Sequence, residues 1–89
     1  MNTYLLTMPS DPSWDGFGML NDRAAPLQAV HFQADYHDIF ILFSEEGHAA
    51  LAAKLFERVP PDPKVRLALI PDFPDALDML IVWTYDKAP

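Results

Sequence analysis

The chain contains no cysteine in 89 residues. That excludes a disulfide framework, a thiolate nucleophile and any zinc site built on sulfur, and it accords with a reducing compartment. Bases are scarce: six Lys and Arg face thirteen Asp and Glu, for a net charge of -7 and a pI near 4.5. Nucleic acids are bound by Lys and Arg that displace counterions, and the chain has no basic stripe to do this. An anionic membrane surface would repel the same charge. Glycine is rare as well, at three residues. The one G-x-G, Gly16-Phe17-Gly18, has no third glycine and no βαβ unit behind it, which excludes a dinucleotide fingerprint. Long apolar runs are missing. The longest, Ile39 to Phe43 and Met79 to Trp83, span five residues each, whereas a membrane-spanning helix needs about 20. No base precedes Arg23, so a signal peptide is not expected. These absences predict a soluble, cytoplasmic protein with no cofactor and no metal.

What is present predicts a folded chain. Hydrophobic residues make up 51% of it, far above a disordered acidic tail, and its length fits a single domain over residues 1–89. Thr3 to Met8 (TYLLTM) reads as a first strand. Residues 9–26 are punctuated by Pro9, Pro12, Gly16, Gly18 and Pro26 and read as one long loop with room for a helical turn. Leu27 to Tyr36 alternates, with Val30, Phe32, Ala34 and Tyr36 on one side and His31, Gln33 and Asp35 on the other, as a half-buried strand does. His37-Asp38 is expected to turn the chain into a second, more central strand from Asp38 to Phe43.

Ser44 is expected to cap a helix, with Glu45 and Glu46 complementing its dipole in the first turn. That helix is expected to run to about Val59, with Leu51, Leu55 and Val59 in one stripe and Pro60-Pro61 as its stop. Lys64 to Ile70 reads as a strand. Pro71 to Asp75 reads as a turn, and Leu77 to Tyr85 as the last strand. The order β-loop-β-β-α-β-β describes an α+β fold: a mainly antiparallel four- or five-stranded sheet with one helix packed on one face. One helix covers one face only. The other face must be covered by the long loop, by a second protomer or by a partner, so a homodimer is among the expected arrangements.

Chemistry-bearing residues are few and lack diagnostic spacing. His31, Asp35 and His37 suit a metal by type, but on a strand His31 and Asp35 lie about 13 Å apart. Ser10, Ser13 and Ser44 belong to no G-x-S-x-G elbow. Glu45 and Glu46 project to different sides of a helix start and do not form an acid/base pair. No catalytic residue is assigned, and an enzyme using His31 or His37 with Asp35 or Asp38 ranks last. The loop at 9–26 is more informative. Trp14 and Phe17 sit in it among Asp11, Asp15 and Asp22, and aromatic anchors ringed by polar groups are how binding hot spots are built. The competing role for both rings is to cap the core. Residues 1–53 carry seven acids and a single base, Arg23, so this half would attract a partner with a basic surface.

A short, acidic, cysteine-free chain without catalytic motifs is similar to phage-encoded anti-CRISPR inhibitors and bacterial toxin-immunity proteins. Its opening, Met1-Asn2-Thr3-Tyr4-Leu5, also resembles the start of one type I-E anti-CRISPR family. That likeness spans five residues and assigns no site residue. It implies a protein-binding inhibitor acting by occlusion of a nucleic-acid-handling enzyme or a toxin; the partner-binding residues expected from the loop itself are Asp11, Trp14, Asp15, Phe17 and Asp22. The alternative expectation is a dimeric α+β domain that binds a small molecule or a peptide.

Overall fold

The structure is a computed structural model and describes residues 1–70. Four antiparallel strands form one sheet in the order β2-β3-β1-β4. They are β1 (Asn2–Pro9), β2 (Gln28–Ala34), β3 (His37–Ser44) and β4 (Arg66–Ile70), and two helices, α1 (Phe17–Ala24) and α2 (His48–Leu55), stand between them. The α+β class and the antiparallel sheet agree with the sequence. The turn expected at 71–75 and the strand expected at 77–85 lie outside the described residues.

Alternation in β1 decides how the sheet is used. Tyr4, Leu6 and Met8 are fully buried and point to one face. Register places Leu42, Phe40 and Asp38 of β3 opposite them, and Leu69 and Leu67 of β4 opposite Tyr4 and Leu6. Leu20 and Ala24 of α1 and Leu51 and Leu55 of α2 join this same core. Two helices, not one, therefore cover this face. Burying a leucine side chain contributes about 1.5–3 kcal/mol, so Leu20 of α1 and Leu51 and Leu55 of α2 fix both helices to the sheet. Thr3, Leu5, Thr7, Ile39, Ile41 and Phe43 project from the opposite face, with Val30 and Phe32 of β2 beside them.

The segment 9–26 is less irregular than its prolines and glycines suggest. A two-turn helix, α1, occupies Phe17–Ala24, and a 3-10 turn follows at Ala25–Leu27. Its Leu20 and Ala24 are buried, and this packing outweighs the poor helix propensity of Gly18. Gly16 is required by a close approach. A Cβ there would meet the Trp14 ring at 2.7 and 2.8 Å and Pro60 Cδ at 3.0 Å.

Helix α2 is shorter at both ends than its sequence stripe. Ser44 is the last residue of β3, paired with Asn2. Its Oγ accepts a bond from the Glu46 amide at 3.1 Å, and the helix begins only after Gly47. Ladder pairing competes with capping for Ser44 and wins. At the other end Arg58 adopts a left-handed φ of 61°. That turn ends the helix at Leu55 and folds Val59 back against the core. Arg23 of α1 donates to the carbonyls of Leu55 at 2.9 Å and Glu57 at 2.7 Å. A cation thus satisfies carbonyls that the helix end leaves open. The buried Tyr4 hydroxyl donates to the Glu46 carbonyl at 2.5 Å, and His48 Nε2 donates to the Leu67 carbonyl at 2.7 Å. Both bonds tie the start of α2 to the sheet. Among the described residues no helix is long and apolar enough to cross a membrane.

Candidate functional site

Strands β2 and β3 are joined by two residues only, because Ala34 pairs with His37. The turn is Asp35-Tyr36, not His37-Asp38 as the alternation suggested. Asp is a good turn residue, and a type I′ two-residue hairpin loop needs positive φ at both positions. Asp35 has φ 54° and Tyr36 has φ 61°. Hairpins usually meet this need with Asn-Gly or Asp-Gly, since a side chain in that region costs roughly 1–2 kcal/mol. Tyr36 nevertheless occupies the position and is 83% exposed. A strained backbone that presents a large exposed ring is a pattern found at functional sites.

Three further segments meet this tip. The Ser10 amide donates to the Tyr36 carbonyl at 3.0 Å, which joins the end of β1 to the hairpin. Asp11 Oδ1 accepts from the Ser13 amide at 3.0 Å and the Ser13 hydroxyl at 2.6 Å, closing a tight turn. Those two bonds hold the Asp11 carboxyl below its ordinary pKa, the hydroxyl bond most strongly, with Lys64 adding a small attraction. Asp11 therefore keeps its charge further into the acid range than a free aspartate. Its contribution to stability is present above the unfolded value of 3.8 and is lost as pH falls through the lowered one. The third segment leads into β4. Asp62 Oδ1 accepts from the Lys64 amide at 2.8 Å, and the Thr7 hydroxyl donates to the Lys64 carbonyl at 2.8 Å.

Together these segments enclose a cleft of about 530 Å³ lined by Pro9, Ser10, Asp11, Trp14, Tyr36, Asp62 and Lys64. Ser10 lines the cleft, and its Oγ is buried with no hydrogen-bond partner among the described residues. Of the five residues the sequence singled out, the cleft takes Asp11 and Trp14. Asp15 and Asp22 are exposed but do not line it, and Phe17 packs against the core. Trp14 does both: it contacts the core and forms one cleft wall. Sequence reasoning missed Tyr36, Ser10, Asp62 and Lys64. For Tyr36 the available signal was Asp35, a turn former placed one residue before it.

A second polar group sits on the helix-bearing face, over β2 and β3. Asp38 is 1% exposed. Its Oδ1 accepts from His31 Nε2 at 2.7 Å and from Gln33 Nε2 at 3.1 Å, while its Oδ2 is buried with no partner among the described residues. The His31 ring stacks on Phe40 with centroids 4.1 Å apart and planes 6° apart. The partner of His31 is therefore Asp38, across the strand pair, and the group anchors the hairpin stem below its strained tip. No protein-family model, curated protein or solved structure matches the chain.

Proposed function

We propose that the protein is a small acidic inhibitor that binds a protein partner with a basic surface and acts by occlusion, as anti-CRISPR and toxin-immunity proteins do. The reading rests chiefly on one observation. Tyr36 is displayed, at a cost in backbone strain, on the rim of a cleft that also holds Trp14 and the carboxylates of Asp11 and Asp62. Tyr and Trp supply large contact area at a low entropy cost. The acids would pair with Lys or Arg of the partner, and a net charge of -7 would steer its approach. The function needs no bond-making step. On this reading the encounter takes place in the cytoplasm.

The test uses a complex with the partner recovered from the native host. Rising salt should dissociate it, because attraction between surface charges is screened. Charge reversal at Asp11 and Asp62 should weaken binding by more than tenfold, with loss of on-rate prominent. Reversal at Asp22, on the exposed side of α1, should change affinity little. Equal effects at all three positions would refute a localised interface. Insensitivity to all three would refute the electrostatic mechanism.

A further inference from the structure

On the sheet face opposite the helices lies a second cleft, of about 390 Å³, lined among the described residues by Thr7, His37, Ile39, Pro63, Lys64 and Arg66. The register builds it. Arg66 lies opposite Thr7, and Thr7 lies opposite Ile39, so the three form a row across β4, β1 and β3. His37 is two residues before Ile39 and shares its face, and Lys64 leads into Arg66. We infer that this cleft binds a small phosphate-type oxyanion.

The argument is one of charge accounting. In so acidic a chain each cation has many carboxylates to pair with. Lys54 takes Glu46, and Arg23 is spent on the carbonyls that follow α2. Arg58, Lys64 and Arg66 form no ion pair with a carboxylate among the described residues, although Lys64 attracts Asp11 at longer range, and of these three only Lys64 and Arg66 line this cleft. Arg66 Nε donates to the Pro63 carbonyl at 3.2 Å, which leaves its terminal nitrogens for another acceptor. His37 Nδ1 donates to the Asp35 carbonyl at 2.8 Å, so the neutral ring presents Nε2 as an acceptor and His37 serves as a wall of the cleft, not as a donor to the anion. The Thr7 hydroxyl holds the Lys64 backbone in place at 2.8 Å. Ile39 supplies an apolar part of the lining. A guanidinium and an ammonium beside an apolar lining match an oxyanion, and a forked guanidinium favours phosphate geometry. Asp11 and Asp62 line the neighbouring cleft on the other side of Lys64, and neither lines this one. The inference does not rest on the proposed inhibitor role, although Lys64 lines both clefts.

The experiment titrates the purified chain with inorganic phosphate at constant ionic strength and follows backbone amide shifts by NMR. A parallel arm uses acetate. Saturable shifts at residues 37–39 and 64–66, in the millimolar range and tighter for phosphate than for acetate, are expected. Lys64→Gln and Arg66→Gln together should weaken phosphate binding by about tenfold or more. Both side chains are exposed, so the variants should keep the wild-type amide spectrum, and either single variant serves if the pair does not. Arg58→Gln should change nothing. Linear shifts without saturation, or unchanged binding in the double variant, would overturn the proposal. The two cations would then serve only to keep the surface of β4 soluble. Tighter binding of acetate than of phosphate would overturn the phosphate assignment.

Discussion

Replacing Tyr36 by glycine should make the protein more stable and a worse binder. At φ 61° the tyrosine backbone sits where a Cβ is disfavoured, at a cost of roughly 1–2 kcal/mol. Glycine removes that cost but brings back about 0.5–1 kcal/mol of unfolded-chain entropy. The ring is 83% exposed, so its loss removes little packing. The backbone bond from Ser10 to the Tyr36 carbonyl survives the change. The net gain is about 0.5–1 kcal/mol, and the loop then carries the Asp-Gly dipeptide that two-residue hairpins prefer. For a domain of this size that is roughly 2–8 °C in Tm. Tyr36→Ala separates the two effects, since it removes the ring and keeps the strained Cβ. Thermal and urea unfolding should place Tyr36→Gly above wild type and Tyr36→Ala near it. Both variants should lose partner affinity to a similar extent, by about 2 kcal/mol if Tyr36 is a hot spot. A Tyr36→Gly chain less stable than wild type would refute the reasoning, because the ring would then be holding the fold together.

Other substitutions separate close packing from free surface. Gly16→Ala should cost about 1–3 kcal/mol by forcing the Trp14 ring aside, whereas Gly18→Ala, which meets nothing within 4 Å, should stabilise α1 by up to about 1 kcal/mol; urea unfolding of the pair checks both signs. Asp38→Ala should cost about 1–3 kcal/mol by leaving the His31 and Gln33 donors unpaired. Asp38→Asn keeps one acceptor and should cost less than Asp38→Ala, as read by the same unfolding curves. Arg23→Ala should cost about 1–2 kcal/mol, since the Leu55 and Glu57 carbonyls lose a charged donor, and amide exchange should speed up first at the end of α2.

The strands were legible because their periodicity is local. Tyr4, Leu6 and Met8 alternate with Leu5 and Thr7, and Val30, Phe32 and Ala34 alternate with His31 and Gln33, and both patterns survive in the structure. The helices were legible only where no neighbour intervened. Helix α1 was hidden by two glycines, and its helicity comes from Leu20 and Ala24 packing on a sheet that local sequence cannot reveal. Ser44 reads equally well as a cap and as a strand end, and its pairing with Asn2, far away in sequence, decides. The candidate cleft was half legible for the same reason. Asp11 and Trp14 stand out within one loop. Tyr36, Asp62 and Lys64 reach them only through the pairing of β1 with both β3 and β4.

Strand β1 carries a further implication for how the molecule comes to exist. It is hydrogen-bonded along both edges, to residues 37–44 on one side and 66–70 on the other, and both partners are synthesised after it. Nascent TYLLTM must wait, sticky and incomplete, while the ribosome supplies its neighbours, so assembly is dominated by distant contacts and should be slow for so small a protein. The same arrangement invites complementation. A synthetic peptide of residues 2–9, added to a chain lacking them, would have a waiting slot between two strands, and recovery of the fold would report that insertion directly.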